Sequence, residues 1–170
     1  MSVNSTNQSS VLKVQEANGR YREAMAAEVL AAAEGVLSGM IVGTVLMNRP
    51  EAAESYLKVK LAALEHEVFG CLFLDSAHRL IEYHELFRGT INQTAVYPRE
   101  VIKAALAVNA SAVIFVHNHP SGAAEPSRAD ELLTENLRKA LLVIGVETLD
   151  HLIVARCTVV SMARRGCFAI

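Results

Sequence analysis

The pattern of hydrophobic and polar positions changes period several times after residue 50, and each change predicts a new element. Between residues 51 and 64 the apolar side chains recur at helical spacing, which predicts an amphipathic helix. The segments 68–75 and 79–87 are short and rich in apolar and β-favouring residues. They are therefore predicted to be two strands, joined by a turn from Asp75 to His78.

The second half of the chain continues with alternating helical and strand patterns. The predicted elements are a helix at 97–110, a buried strand at 111–116, a helix at 127–144, and strands at 147–155 and 158–163. The full order from residue 51 is helix, strand, strand, helix, strand, helix, strand, strand. This order predicts an α/β sandwich, with a mixed β-sheet flanked by helices.

The first 49 residues have a different character. Residues 1–18 are polar and rich in Ser, Asn and Gln, which predicts a flexible start. An alanine-rich helix is predicted over 20–38, and 39–47 is an apolar segment of uncertain type. Because the residue before a proline is disfavoured in a helix, Arg49-Pro50 marks a boundary. We therefore predict an N-terminal extension over 1–49 and a single functional domain over 50–170.

Composition supports one compact domain and argues against broad nucleic-acid binding. The chain has 170 residues, of which 52% are hydrophobic and only 5% aromatic, so an aliphatic core is expected. The net charge is −2 and the sequence pI is near 6.3. DNA binding would need a local basic patch. Arg156, Arg164 and Arg165 are candidates for one, although three arginines are more typical of a solvated rim.

The cysteines and the apolar segments indicate a reducing compartment. Cys71, Cys157 and Cys167 are odd in number and include no Cys-x-x-Cys pair, so no disulfide framework is expected. Cys71 is interpreted as a small buried hydrophobe, although a thiol close to a bound metal ion is also a possible ligand. No secretory signal pattern begins the chain, and the longest uncharged apolar stretch, Gly35 to Met47, is too short to span a bilayer. We predict a cytoplasmic protein without membrane contact.

Two histidines stand at the end of the predicted buried strand. His117 and His119 are two residues apart, and strand geometry directs side chains at this spacing to one face. Catalytic zinc sites use three protein ligands in a tetrahedral arrangement and leave the fourth position to water. Asp130, in the first turn of the following helix, supplies the third ligand. The sequence thus predicts a site for one metal ion per chain, with zinc favoured, although nitrogen and oxygen ligands alone do not exclude iron or nickel.

Ser127 has two interpretations. It lies three residues before Asp130, on the same side of the helix, where its hydroxyl would stabilise the charge that develops on a substrate carbonyl oxygen. The same pair also fits a helix start, with Ser127 as the N-cap and a carboxylate three residues later. The spacing alone leaves both interpretations open.

The stretch HNHPSGAAEPSRAD, residues 117–130, resembles the signature of the JAMM (MPN+) metalloproteases, in which His-x-His-Pro precedes a Ser and an Asp. It is most similar to the bacterial RadC branch of these proteins. The segments LEHEVFGCLFLD, LFRGTINQTAVYPREVIKAAL, LLVIGVETLDHLIV and VVSMARRG resemble RadC segments in the same order. The resemblance therefore covers roughly residues 50–168.

This resemblance implies a JAB/MPN-like sandwich of the cytidine-deaminase-like type and a zinc-dependent metallohydrolase acting on amide or isopeptide carbonyls of protein or peptide substrates. Glu67 matches the catalytic glutamate of the family, whereas the residues alone do not distinguish it from Glu65 or Glu82. By resemblance, Glu67 accepts a proton from the attacking water and passes it to the leaving amine. Zinc and Ser127 then stabilise the tetrahedral oxyanion.

The resemblance also suggests an alternative function, an accessory DNA repair or recombination factor with a structural or vestigial metal site. Longer RadC proteins carry a helix-hairpin-helix region, and residues 1–48 show no such pattern. A glycine-rich turn of the family is replaced here by ARCTVV. A metal-dependent nuclease is a third interpretation, disfavoured because a single metal lacks the second cation commonly used on phosphodiesters.

The remaining histidines have less specific interpretations. For His151 we expect packing or pairing with Asp150, with a supporting role near the metal as the less favoured alternative. His66, His78 and His84 have no ligand-like partners at useful spacing. They are interpreted as surface or hairpin residues.

Overall fold

The helices and strands after residue 50 follow the predicted order. The computed structural model of the chain describes residues 11–46, 50–89 and 96–168. Its elements are β1 (Lys13–Gln15), β2 (Tyr21–Glu23), α1 (Ala26–Ile41), α2 (Pro50–Leu61), β3 (Val68–Leu74), β4 (Leu80–Arg88), α3 (Pro98–Ala107), β5 (Ala112–Asn118), α4 (Arg128–Leu142), β6 (Glu147–Ala155) and β7 (Thr158–Ser161). The predicted boundaries of these later elements are displaced by only a few residues.

The main sheet is mixed, as predicted. Its five strands lie in the order β4-β3-β5-β6-β7. Only β5 and β6 run parallel, while the other three neighbouring pairs are antiparallel. A parallel pair needs a crossover connection, and α4 supplies it. Because hydrophobic cores cover both faces of the interior strands β3 and β5, all seven residues of each strand are buried, which explains the apolar runs 68–74 and 112–116.

The two faces of the sheet carry separate hydrophobic cores, because side chains alternate along each strand. On β3, Leu72 belongs to the core with α1 and α2, whereas Phe73 belongs to the core with α3 and α4. Val113 and Phe115 of β5 lie in the second core. His117 continues their spacing of two. It therefore lies on the face that α4 covers, at the end of the strand.

The N-terminal prediction was wrong in two respects. Residues 13–15 and 21–23 form a short antiparallel hairpin, where a flexible start and the beginning of a helix were predicted. The helix begins later, at Ala26, and extends to Ile41. The hairpin turns at Gly19, whose φ of 82° is readily adopted by glycine. The first ten residues of the predicted flexible start lie outside the described residues.

The apolar segment after α1 is neither a helix nor a continuous strand, because a turn at Gly43 separates two bridge residues. Val42 and Val45 form isolated bridges with the beginning of β4. Leu46 is buried in the core that also contains Ile41 and α2. The end of the N-terminal segment therefore packs against the same core as the residues that follow it.

The turn between β6 and β7 forms without a glycine. Ala155 pairs with Thr158, which leaves Arg156 and Cys157 in the turn. Arg156 has a φ of 52°, a left-handed conformation that costs a residue with a side chain about 1 to 2 kcal/mol. The ARCTVV sequence therefore forms the turn with local backbone strain at Arg156.

All three cysteines are free thiols, and Cys71 is fully buried. Burial in the apolar core raises the pKa of the Cys71 thiol well above its usual range. Cys71 therefore behaves as the small hydrophobe that the sequence predicted. Among the described helices, none is both long and apolar enough to cross a bilayer.

Gly70 on β3 leaves room for the side chain of Tyr83, which lies on the neighbouring strand β4. A Cβ atom at this position would lie 2.5 Å from the Oη atom of Tyr83, while nothing lies within 4 Å of a Cβ built on Gly35 in α1. Gly70→Ala is therefore expected to lower the free energy of unfolding by about 2 to 3 kcal/mol. The control Gly35→Ala should raise it by about 1 kcal/mol. Urea unfolding of both variants tests this, and equal stabilities would contradict the close contact.

Candidate metal centre

The structure brings His117, His119 and Asp130 together at the end of β5. One ligand atom from each lies within 4.8 Å of the others. Nε2 of His117 is 2.8 Å from Nε2 of His119 and 3.3 Å from Oδ1 of Asp130. His117 lies near the end of β5, His119 directly follows the strand, and the first turn of α4 supplies the carboxylate. These three residues form a group that could hold a metal ion.

The ring of His119 presents Nε2 to this group. Its Nδ1 atom lies 2.6 Å from the main-chain carbonyl oxygen of Ala123. A carbonyl oxygen can only accept a hydrogen bond, so Nδ1 carries the hydrogen in the neutral ring. Nε2 of His119 is then left with a lone pair that faces His117 and Asp130. This is the protonation pattern that a histidine metal ligand requires.

His151 contacts the ring of His117 at Nδ1, the nitrogen on the opposite side from the metal group. Nδ1 of His117 lies 2.8 Å from Nε2 of His151, and Nδ1 of His151 lies 2.5 Å from Oγ1 of Thr134. His151 is completely buried, and this burial lowers the pKa of its ring well below the usual histidine range. The predicted pairing of the ring with Asp150 is wrong, because His151 donates to Asp150 through its main-chain N–H. The predicted packing is confirmed, since the ring contacts those of Phe69 and Phe115.

Ligand atoms of these three side chains converge, and such an arrangement favours a bound cation. Asp130 and the hydrogen-bonded carbonyl of Ala123 raise the pKa of His119, partly opposed by burial, and the charge of Glu67 adds to the rise. Burial acts to raise the pKa of Asp130, but its contacts with His117 and His119 hold it well below its usual range. Two imidazoles and a carboxylate form a donor set that zinc accepts. The residues present therefore fit such an ion.

Ser127 and Asp130 also form the predicted helix cap. Oδ2 of Asp130 accepts from the main-chain N–H of Ser127 at 2.7 Å and from its hydroxyl at 2.6 Å. The Ser127 hydroxyl in turn accepts from the main-chain N–H of Asp130 at 3.2 Å. Oδ1 is the carboxylate oxygen nearer His117. The capping interpretation is thus confirmed, and it leaves the second carboxylate oxygen for the metal group.

Glu67 stands directly before β3, half-buried, close enough for its charge to act on His119. The two residues beside it are tied to the histidine segment by Asn118, which is 2% exposed. The Asn118 side chain accepts from the N–H of Val68 at 2.7 Å and donates to the carbonyl of His66 at 3.0 Å. Asn118 therefore fixes the backbone on both sides of Glu67 relative to the metal group.

The other candidate residues lie outside this group. Among the described side chains, the group that could hold a metal ion does not include Cys71. His84 contacts Glu82, at 3.0 Å, and the ring of Phe73. His78 lies in the turn before β4 with a φ of 56°. The positions of His78 and His84 agree with the hairpin and surface roles that the sequence suggested. The surface interpretation of His66 is wrong for its ring, because its Nε2 atom is buried.

The C-terminal arginines do not form a free basic patch. Arg164 lies 3.8 Å from a carboxylate oxygen of Glu54, and Arg165 forms an ion pair with Glu125. Arg156 is exposed and lies over Gly122. Two of the three cations thus already face carboxylates, which favours the interpretation of a solvated rim.

Comparison with known proteins identifies the family. The sequence model described as "RadC-like JAB domain" matches residues 47–167. The chain belongs to the RadC family. A UPF0758 protein of Methylibium petroleiphilum is 53% identical over 148 residues, a match that covers 87% of this chain and 67% of that protein. UPF0758 is a name for RadC-family proteins.

Two further relatives show how much of a RadC-family protein this chain represents. A UPF0758 protein of Leptothrix cholodnii is 50% identical over 155 residues, covering 91% of this chain and 70% of the relative. One of Vibrio cholerae is 51% identical over 138 residues, covering 81% and 87%. These names state no activity. The family assignment supports the JAB fold, and any reaction must be argued from the site.

Two residues around the candidate metal group were not predicted from the sequence. Thr134 was not considered, because a threonine inside a helix gives no signal of a distant hydrogen bond. Asn118 was passed over as the residue between two histidines. A signal was present in its case, since a polar residue at the end of a buried strand needs hydrogen-bond partners.

Proposed function

We propose that this RadC-family chain is a zinc-dependent hydrolase of amide bonds, with a peptidase- or isopeptidase-like action on protein or peptide substrates. The observation that supports the proposal is the convergence of the His117 and His119 Nε2 atoms on the Asp130 carboxylate, at 3.3 Å from Oδ1 and 3.7 Å from Oδ2 respectively. Zinc is favoured by this donor set and by the family resemblance. A zinc ion held there would lower the pKa of a bound water to about 7 and polarise a substrate carbonyl.

Glu67 is the proposed general base. Its carboxylate belongs to a segment that Asn118 fixes next to the ligands, which suits a group that must meet a water molecule beside the metal. In the proposed reaction Glu67 takes a proton from the attacking water and later gives it to the leaving amine. The carboxylate thus ends the cycle in the state in which it began.

Ser127 is the proposed donor to the oxyanion. Its hydroxyl donates to Oδ2 of Asp130, and the main-chain N–H of Ser127 donates to the same oxygen. The hydroxyl can therefore rotate towards a negatively charged substrate oxygen while Oδ2 keeps one hydrogen bond. The serine would hold the ligand in the resting site and stabilise the transition state during the reaction.

Metal analysis and a cleavage assay together test this function. Protein purified without a metal-chelating resin should contain about one zinc per chain by mass spectrometry of metals. Internally quenched peptides and an isopeptide-linked peptide pair serve as probes for cleavage. A chelator should stop cleavage and added zinc should restore it. Absence of bound metal at neutral pH would refute the zinc site, and bound zinc without chelator-sensitive cleavage would contradict the hydrolase assignment.

A further inference from the structure

A buried chain of side chains joins one metal ligand to the helix that carries another. It begins at His117, continues through the ring of His151 and ends at Thr134. Oγ1 of Thr134 lies 2.6 Å from the main-chain carbonyl oxygen of Asp130. Thr134 is 1% exposed and His151 is completely buried. Water therefore does not compete for these hydrogen bonds from the solvent side.

The donor and the acceptor in each of these hydrogen bonds follow from the main-chain carbonyl oxygen of Asp130, which is the last acceptor in the chain. The Asp130 carbonyl can only accept, so the single hydroxyl hydrogen of Thr134 points to it. The hydroxyl oxygen must then accept from Nδ1 of His151, which places the ring hydrogen of the neutral His151 on that atom. Nε2 of His151 is left as an acceptor, and Nδ1 of His117 donates to it. His117 consequently keeps its lone pair on Nε2, the atom that faces His119 and Asp130.

The surroundings of His151 hold its ring in this orientation. The rings of Phe69 and Phe115 meet it edge to face, with centroids at 5.6 Å and 5.7 Å. The main-chain N–H of His151 donates to Asp150, whose other oxygen accepts from the Ser161 hydroxyl. A rotation of the imidazole would displace tightly packed aromatic rings. The direction of these hydrogen bonds is therefore fixed by the packing around the ring as well as by the available donors and acceptors.

We propose that Thr134 and His151 are positioning residues that set the tautomer and the orientation of His117, an inference that rests on the metal site proposed above. Removing the Thr134 hydroxyl takes away the acceptor for Nδ1 of His151. The His151 hydrogen then moves to Nε2, where it opposes the hydrogen on Nδ1 of His117. His117 relieves this conflict by carrying its hydrogen on Nε2, which blocks the lone pair needed by the metal.

Substitutions that keep the shape of the side chain test this inference. Thr134→Val removes only the hydroxyl, whereas Thr134→Ser retains it. Zinc affinity, measured by competition with a chromophoric chelator, should fall about 10- to 100-fold in the valine variant and recover in the serine variant. The control Thr148→Val removes another buried hydroxyl, one without a hydrogen-bond partner in the structure. This control should leave zinc affinity unchanged.

A second measurement uses the metal-free chain and so does not depend on zinc. Long-range proton–nitrogen NMR at mildly alkaline pH reports which ring nitrogen of each histidine carries the hydrogen. The wild-type chain should show the hydrogen of His117 on Nδ1, and Thr134→Val should move it to Nε2. His151→Leu, which suits an apolar pocket, should lower zinc affinity in the same range as Thr134→Val, about 10- to 100-fold.

The outcomes separate this inference from the proposed function. If the wild-type chain binds zinc and a folded Thr134→Val variant binds it equally well, the positioning role is refuted while the metal site stands. An Nε2-protonated His117 in the wild-type chain would also refute it. If the wild-type chain fails to bind zinc but shows the expected tautomers, the proposed function fails and the hydrogen-bond order is still supported.

Discussion

Replacing His117 and His119 by alanine in the same chain is expected to abolish stoichiometric zinc binding. The substitution removes two of the three groups whose ligand atoms lie within 4.8 Å of one another. A single carboxylate, Asp130, would remain, and one ligand does not form a tetrahedral site. Cleavage of the peptide probes should disappear together with the metal, because the proposed reaction needs both.

Thermal unfolding with and without zinc measures the loss. At a zinc concentration about a thousand times Kd, binding stabilises the folded wild-type chain by about 4 kcal/mol, and the double variant should gain nothing. The matched control is His78→Asn with His84→Asn, which also removes two histidines but leaves the metal group intact. Asparagine is used because it tolerates the left-handed backbone of residue 78. Zinc-dependent stabilisation of the alanine variant would show that the ion binds elsewhere.

Glu67→Gln is expected to separate metal binding from chemistry. The amide keeps the size of the side chain but cannot accept and return a proton, so kcat should fall about 10²- to 10⁴-fold. Zinc content should stay at about one per chain, because the three proposed ligands are untouched. Single-turnover cleavage of a peptide probe, together with metal analysis of the same sample, measures both quantities.

Two further glutamates provide controls of the same chemistry. Glu65→Gln and Glu82→Gln make the same change at residues that the sequence pattern alone could not distinguish from Glu67. Glu65 is exposed in the segment before β3, and Glu82 contacts His84 on β4. Both variants should retain wild-type kcat. A comparable loss in all three would mean that the effect arises from net charge rather than from a general base at position 67.

The fold after residue 50 was predictable because its elements carry strong local patterns. The interior strands β3 and β5 are short apolar runs, and α4 has a capping pair at its start and Gly145 after its end. The N-terminal hairpin was not predictable by these means. Each of its strands has only three residues, with a single half-buried side chain in the middle. Such strands show too few positions to establish a period.

The candidate site also has one part that local sequence patterns predict and another part that they do not. His117, His119 and Asp130 lie close together in the sequence, and the strand and helix that carry them have regular geometry. The residues that support them come from distant segments, since His151 is 34 positions from His117 and Asn118 contacts residues about 50 positions away. No local pattern encodes such contacts. Glu67 was assigned by family resemblance, and neither its spacing nor its chemistry alone identified it.

The parallel crossover that holds the site has a consequence for the order of folding. His117 lies on β5, Thr134 on α4 and His151 on β6, so their hydrogen bonds form only when the helix has docked and the two parallel strands have paired. Parallel pairing across a helix is a non-local event and forms late relative to local turns. A metal ion that requires the Nδ1-protonated His117 would therefore bind weakly to partly folded chains. High-affinity metal capture would report the completion of this β5-α4-β6 unit.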